Sequence, residues 1–491
     1  MISINKSRIY GTILMVCAVG LFSSCGKDFL EVVPKGVAIA KKTSDYELLL
    51  NDRNLTFLQR APQVVMSDEI AGFSPLYTIG SGLSLISDKN AFEYKDDIYL
   101  PTENMSELTQ LEKQLYSYNK VINEVMDAEG NDNRQKSALR AEALAGRAWA
   151  HFMLVNYYGK PYNKATAASD LGIPLVTVAD VTQNMFKRST IQEAYDLIIA
   201  DLREAIPNLT TQVVSRHRMS RSAAEAILGK VYVYMQQFEQ ALPLLESSLA
   251  NLHSNSLAVG LYDFNKELSS GGAFYPISPF TGPNRLNLDI DKEVLYLKSY
   301  LNTYTLLLSG LPLTGQTAAL YSAADLRQQF MTALPFPPTM VYPGGMKRCY
   351  GKYSNVGVNV SDIYLLKAEC EARGGQLSAA TSTLEAFRLS RMNNKILNAE
   401  KIPVSIAADK ILLTKFILEE RIREFAGSGE RWWDMRRLIV DDQYKSTVGL
   451  EHHVYDATGK LVQSFPLKVD RLVLRFPQYV MNANPDLQQN P

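Results

Sequence analysis

The chain has few cysteines and no excess of charge of either sign. Only four cysteines occur among 491 residues. None forms a CxxC pair or another metal-ligand spacing, which argues against structural zinc. Fifty-one Lys and Arg residues balance 51 Asp and Glu residues. Because nucleic-acid-binding proteins usually carry a basic excess that neutralises phosphates, the zero net charge argues against that class.

The sequence also lacks the signatures of common enzymes. It contains no Walker A loop, no HExxH, no GxSxG and no dinucleotide-binding fingerprint. Glycoside hydrolysis needs two carboxylates in one cleft, but a chain with 51 acidic residues always offers candidate pairs. We therefore predict a protein that is not an enzyme and that uses no cofactor.

No metal site is predicted either. His452 and His453 are adjacent, so their side chains would face opposite ways in a strand, and no third ligand is evident nearby. A solvated loop is the favoured interpretation of this pair. Asp289 and Asp291 alone are too few ligands to indicate a calcium site.

The first 25 residues carry a targeting pattern. Lys6 and Arg8 precede an apolar stretch over 9–22 that is too short to span a bilayer, and two serines then precede Cys25. This arrangement resembles a bacterial lipoprotein signal, in which the cysteine is lipidated and becomes the mature N-terminus. We predict that residues 1–24 are a signal peptide and that Cys25 is the anchor. The alternative is a plain secretory signal with an incidental thiol.

Much of the remaining chain has helical periodicity. Apolar residues recur at helical spacing over 105–126, and further helices are predicted over about 137–157 and 191–206. Gly229 and Ala241 stand at the positions where the two helices of a tetratricopeptide-like pair cross. Ala368 and Ala380 repeat the same spacing. The sequence thus predicts a mainly α-helical scaffold over about 105–250 and 361–440.

Two other parts, about 60–101 and 252–360, are irregular and aromatic. Their Gly and Pro content disfavours long helices, and their aromatic content argues against disorder. An aromatic ring can cover the flat C–H face of a sugar while its edge stays in water. The candidate ligand-binding residues are Phe73, Tyr77, Tyr94, Phe274, Tyr275 and Phe280, with Asn284 and Arg285 as polar partners. The alternative role for each ring is a small core beneath the loops.

Other conspicuous residues are predicted to be structural. The three tryptophans, Trp149, Trp432 and Trp433, lie in helical segments and are expected to pack in the core. Cys370 is expected to be a small core residue, although it could instead pair with Cys349 outside the cytoplasm. A charged network is expected to brace the last helices through Glu420, Arg421, Glu424, Arg431, Asp434 and Arg436.

Seven motifs in order resemble one family nearly end to end. Asp28–Pro34 follows Cys25, and the later motifs are Leu139–Gly159, Gly172–Leu175, Arg188–Leu202, Tyr364–Glu369, Glu420–Arg437 and Asn482–Pro491. With them the chain resembles the SusD/RagB group of outer-membrane nutrient-binding lipoproteins.

This resemblance implies a fold and a role. The implied fold is a single domain over 25–491, with four tetratricopeptide-like helix pairs and an irregular, loop-rich half with few short strands. The implied function is capture of oligosaccharide at the cell surface and its delivery to a SusC-type TonB-dependent outer-membrane transporter. Two alternatives stay open: a RagB-like peptide-binding lipoprotein, and a protein-interaction scaffold that binds no nutrient.

Overall fold

A computed structural model describes residues 40–77, 86–103, 106–183, 185–278, 282–283, 287–301, 310–335, 338, 340–350 and 353–491. Cys25, Phe280, Asn284 and Arg285 lie outside these described residues. The predictions of a signal peptide and a lipidated cysteine therefore also fall outside them.

Helices form most of the regular structure. In chain order they are α1 (Thr43–Leu50), α2 (Gln63–Met66), α3 (Ile86–Phe92), α4 (Glu107–Glu124), α5 (Asn133–Tyr158), α6 (Ile191–Ala205), α7 (Arg221–Tyr234), α8 (Phe238–Ala250), α9 (Phe264–Glu267), α10 (Gly315–Ala319), α11 (Val360–Arg373), α12 (Leu377–Leu389), α13 (Val404–Ala407), α14 (Lys410–Phe425), α15 (Glu430–Ile439) and α16 (Gln478–Ala483). The prediction of a mainly α-helical fold with few short strands is confirmed. No helix in the described part of the chain has the length and hydropathy of a membrane span.

The helices pack in pairs through small residues. A Cβ atom added at Gly146 on α5 would lie 2.4 Å from the ring of Tyr118 on α4. One added at Gly229 on α7 would lie 2.8 Å from Leu245 on α8. These glycines therefore let the helix axes approach closely. Helices α11 and α12 repeat the α7–α8 arrangement, with Ala368 and Ala380 both fully buried.

Local capping explains where individual helices begin. Thr190 precedes α6, and its side chain accepts a hydrogen bond from the Glu193 N–H at 3.1 Å. The Glu193 carboxylate in turn accepts one from the Thr190 N–H at 2.7 Å. This reciprocal pair satisfies two N–H groups that the first helical turn leaves free, as in a capping box. The predicted helix over 191–206 is thereby confirmed to within one residue.

Strands are short and sit mainly in the loop-rich parts. They are β1 (Phe57–Leu58), β2 (Gly72–Phe73), β3 (Ile277–Ser278), β4 (Gly282–Pro283), β5 (Val294–Tyr296), β6 (Ser299–Leu301), β7 (Met331–Thr332), β8 (Arg348–Cys349), β9 (Tyr353–Asn355), β10 (Val358–Asn359), β11 (Glu451–Tyr455) and β12 (Leu461–Pro466). Three-stranded sheets have the orders β1-β6-β9 and β12-β11-β2. In the second sheet the antiparallel hairpin β11–β12 pairs with β2 in parallel.

The histidine pair was predicted to lie in a solvated loop, and this prediction is wrong. Both residues belong to β11, and their side chains alternate, so His452 is buried while His453 is partly exposed. The His452 ring stacks on Phe92 and Tyr94, with centroid distances of 4.4 and 4.3 Å. Burial lowers the pKa of His452, which favours its neutral form. His452 is buried rather than solvated because β11 pairs with neighbouring strands and because Phe92 and Tyr94 stack on the imidazole ring.

The core contains the residues predicted to be structural. Trp149, Trp432 and Trp433 are buried, as expected. The Cys370 thiol is buried in α11 and free, so it forms no disulfide with Cys349.

The predicted charged network is also present in the core. The Arg421 guanidinium donates to Asp362 at 2.7 Å and to Asp434 at 2.8 Å. Glu420 and Glu424 both form salt bridges with arginines. Arg436 is an exception, because it forms no salt bridge within the described residues and donates to the Gly159 carbonyl at 2.6 Å.

Candidate functional site

Three of the predicted sugar-binding rings lie inside the protein. Phe73, Tyr77 and Tyr94 are buried. Phe73 packs edge-on against Tyr342, with a centroid distance of 5.1 Å. The Tyr94 hydroxyl donates to the Met66 carbonyl at 2.9 Å. The expectation that these rings face solvent is therefore wrong, because each fills a core beneath the loops and offers no face to a ligand in this structure.

Phe274 belongs to a separate aromatic cluster. Its ring packs against Tyr262, Phe264 and Phe330, with centroid distances of 5.0, 5.5 and 5.3 Å. These edge-on contacts are a favoured geometry for aromatic pairs. We define the aromatic cluster as Tyr262, Phe264, Phe274 and Phe330.

Among the predicted residues that the structure describes, Tyr275 is the one that reaches solvent. It is 46% exposed and directly follows Phe274. The turn before it depends on Gly272, where an added Cβ atom would lie 2.4 Å from the Glu267 carbonyl oxygen. The Phe274 N–H donates to the same carbonyl at 2.9 Å, which fixes the chain on both sides of the turn. This local structure holds Phe274 inside the cluster and leaves Tyr275 at the surface.

A cavity of about 240 Å³ opens beside the aromatic cluster. Besides the cluster, its lining includes Tyr350, Asp291, Glu293, Arg327 and Glu424 and residues 425–428. The lining thus combines aromatic and charged side chains. This combination suits a ligand that has both apolar C–H faces and hydroxyl groups.

Arg391 holds the acidic side chains of the cavity lining in place. This fully buried guanidinium donates to Glu293 at 2.9 Å and to Glu424 at 2.7 Å. It also donates to the Tyr262 carbonyl at 2.9 Å and lies over the Phe264 ring. Burial raises the pKa of Glu293 to about 7, although the positive charge of Arg391 opposes that rise. These contacts hold the carboxylates at the cavity edge as fixed hydrogen-bond acceptors.

Sequence reasoning did not select most of these residues. Tyr262, Phe264 and Phe330 lie in the predicted loop-rich part, and their aromatic content was the available signal. The sequence around each ring does not show whether the ring belongs to this aromatic cluster or to a different one. Glu293 gave no signal, because its role depends on Arg391, which lies 98 residues further along the chain.

Comparisons with known proteins identify the family to which this scaffold belongs. Residues 28–233 match a SusD-like family model described as starch-binding and associating with the outer membrane. Residues 356–491 match the model of the SusD family. The chain belongs to the SusD-like family. The scaffold of this SusD-like protein is the family's helical, tetratricopeptide-like fold.

Individual relatives are distant in sequence. The SusD-like protein P38 of Formosa agariphila is 26% identical over 352 residues, which are 60% of this chain and 65% of that relative. A solved structure of a putative sugar-binding protein from Bacteroides vulgatus superposes with a TM-score of 0.67 at 19% identity, covering 93% of this chain and 99% of that one. A laminarin-binding SusD-like protein superposes with a TM-score of 0.60 at 17% identity, covering 92% and 99%. The two structural likenesses show the fold.

The described part of this SusD-like protein offers no obvious metal centre. Within it, no group of three or more His, Cys, Asp and Glu side chains is placed to hold a metal ion.

Proposed function

We propose that this SusD-like protein is a cell-surface lipoprotein that captures oligosaccharide and delivers it to a SusC-type TonB-dependent transporter in the outer membrane. The family model's link to starch and to the outer membrane supports the compartment and the ligand class. A structural relative that binds laminarin supports the same ligand class. The observation that carries the proposal is a SusD-like scaffold in which the exposed ring of Tyr275 directly follows Phe274, and Phe274 lines a cavity that has both aromatic and charged side chains.

Tyr275 would act as a platform for a sugar ring at the mouth of this cavity. Contact that buries roughly 50–100 Å² at ~25 cal/mol per Å² stabilises the complex by about 1–2.5 kcal/mol. After the costs of association, a few such contacts give micromolar to millimolar affinity. Weak binding is sufficient for a polymer that presents many copies of the same sugar. Phe280, Asn284 and Arg285 remain predicted partners in the same part of the chain.

Calorimetry with laminarin and starch oligosaccharides tests the ligand class. Tyr275→Ala should weaken binding about 5- to 70-fold, the equivalent of that contact energy, whereas Tyr275→Phe should retain most of the affinity. The matched control is Tyr116→Ala, because Tyr116 is a similarly exposed tyrosine on α4 of the scaffold. Binding of peptides and of no saccharide would contradict the oligosaccharide assignment. Copurification with a transporter in the absence of any nutrient binding would favour the interaction scaffold.

The anchor is proposed separately. Residues 1–24 would be removed, and acyl chains on Cys25 would hold the mature protein at the membrane, since each buried CH₂ group contributes roughly 0.8 kcal/mol. Cys25→Ala should therefore move the protein from the membrane fraction to the soluble fraction. Continued sedimentation of this variant with membranes would contradict the anchor.

A further inference from the structure

A separate pocket, with a volume of about 280 Å³, lies between α4, α5, α16 and the chain around Ile173 and Phe186. No described residue lines both this pocket and the cavity beside the aromatic cluster. A cavity of about 150 Å³ is large enough to bind benzene, so this pocket has room for one aromatic ring and a short chain. Its size therefore suits a small ligand.

The lining of this pocket is mainly aliphatic and aromatic. Leu108 and Leu115 come from α4, Leu154 comes from α5, and Phe476 and Val480 come from the C-terminal part of the chain. Burying apolar surface against such a lining is favourable because it removes that surface from water. The body of a ligand in this pocket is therefore apolar.

Glu112 is the charged residue of the described lining, and its exposure to solvent places it at the rim. Its carboxylate forms neither a salt bridge nor a hydrogen bond with a described residue. The residues one helical turn away on α4 are Leu108, Thr109, Leu115 and Tyr116, and none of them is basic. The carboxylate is therefore available to a cationic ligand.

Asn484 supplies a second acceptor, deeper in the pocket. It belongs to the lining and is only 4% exposed. Its Nδ2 donates to the Phe186 carbonyl at 2.8 Å, which fixes the orientation of the amide. Its Oδ1 then has no hydrogen-bond partner among the described residues. Because a buried acceptor without a partner is costly, a ligand that donates a hydrogen bond here is favoured.

The two phenol groups of the lining are already engaged. The Tyr158 hydroxyl donates to Glu107. The Tyr479 hydroxyl is hydrogen-bonded to Ser106 at 3.0 Å and to Thr109 at 2.6 Å. Neither hydroxyl is therefore free to donate to an anionic ligand.

A neighbouring arginine does not supply a donor to the lining. Arg188 lies over the Phe476 ring at 5.3 Å, but it is not a lining residue. It donates four hydrogen bonds to backbone carbonyl oxygens, at 2.7–3.1 Å. Gln183 is exposed at the rim, and because its amide both donates and accepts, it favours neither sign of charge.

We propose that this pocket binds a small apolar amine, with an aromatic or aliphatic body in the pocket and N–H groups that are accepted by Glu112 and Asn484. The Glu112 carboxylate and Asn484 Oδ1 accept hydrogen bonds, so an ammonium group complements them and a carboxylate does not. This proposal goes beyond the proposed oligosaccharide capture and does not depend on it.

Calorimetry with three ligands that share a phenyl ring and a two-carbon spacer tests the charge preference: 2-phenylethylamine, 2-phenylethanol and 3-phenylpropanoate. The apolar surroundings raise the pKa of Glu112 to about 7, so at about pH 8.5 it is largely ionised while the amine is still protonated. Tyr158 and Tyr479 stay neutral there, since burial raises the pKa of each. We expect the amine to bind at least about tenfold more tightly than the carboxylate.

Two further readouts locate the binding. Hydrogen exchange should slow in 108–116 and 476–487 when 2-phenylethylamine binds. Lowering the pH to about 6 should weaken amine binding by up to about tenfold, because Glu112 then becomes largely protonated. Exchange protection confined to other segments, or equal affinities for the amine and the carboxylate at about pH 8.5, would overturn the assignment.

Glu112→Gln isolates the contribution of the charge. The exposed position tolerates this change, so the variant should fold. The amine-to-carboxylate affinity ratio should fall to about threefold or less, and the dependence on pH should disappear. Glu246→Gln, at an exposed position on α8 outside the lining, is the matched control and should keep the ratio of the wild type. An unchanged ratio in Glu112→Gln would contradict the role of Glu112.

The Tyr275→Ala variant separates this inference from the proposed function. Because Tyr275 is not part of this pocket, the variant should bind 2-phenylethylamine with the affinity of the wild type. If the wild type binds the amine and no saccharide, the proposed function fails and the amine site stands. If it binds saccharides and no amine, the amine site fails and the proposed function stands.

Discussion

Glu69 provides a sharp test of how burial controls charge in this protein. We predict that Glu69→Gln changes the pH dependence of stability. The glutamine keeps an oxygen that accepts the Gly427 N–H, and it places an NH₂ group where Oε2 now lacks a partner among the described residues. The variant therefore removes a titratable group and preserves its shape.

The size of the effect follows from the buried carboxyl group. Burial raises the pKa of Glu69 from 4.5 to about 8, although the Gly427 N–H and Arg431 oppose the rise. The folded protein thus binds the proton more tightly than the unfolded chain does, so the stabilisation is complete below pH 4.5 and is lost as the pH rises to about 8. At about 1.4 kcal/mol per pKa unit, the loss is on the order of 5 kcal/mol.

The assay is urea unfolding of the wild type and Glu69→Gln between pH 4 and pH 9, roughly spanning both pKa values. The free energies of unfolding should be similar at the acidic end, and the variant should become increasingly more stable up to about pH 8. The matched control is Glu246→Gln at an exposed position on α8, which should follow the wild type at every pH. A constant difference between the wild type and Glu69→Gln across this range would refute the reasoning.

Two further predictions concern the scaffold. Gly146→Val should destabilise the protein by about 1–3 kcal/mol or more, because its side chain would overlap the Tyr118 ring; an unchanged thermal midpoint would contradict the close α4–α5 approach. Arg421→Met should cost about 3–5 kcal/mol in urea unfolding, since it leaves Asp362 and Asp434 with fewer buried partners. Adding Asp434→Asn should recover part of that loss if the ion pair is the cause.

The helical scaffold was predictable because its signals are local. The Gly229–Ala241 spacing lies within two neighbouring helices, and the structure shows their close approach where expected. Short-range periodicity and capping need no knowledge of distant residues.

The positions of the aromatic rings were not predictable in the same way. Tyr94 is buried because it stacks on His452, which lies 358 residues further along the chain. The sequence of one segment does not show whether a ring binds a ligand or packs in the core. That distinction requires knowing which distant segment lies against the ring. Of the predicted rings within the described ranges, Tyr275 is the one that the structure leaves accessible.

Arg391 limits which loops can be exchanged between this protein and its relatives. Its guanidinium is held between Glu424 of the helical frame and Glu293 of the loop-rich half. A grafted loop lacking an acid at position 293 would leave Arg391 more poorly compensated in the interior. Engineered variants with altered ligand preference should therefore transplant the loop together with this carboxylate, or replace Arg391 at the same time.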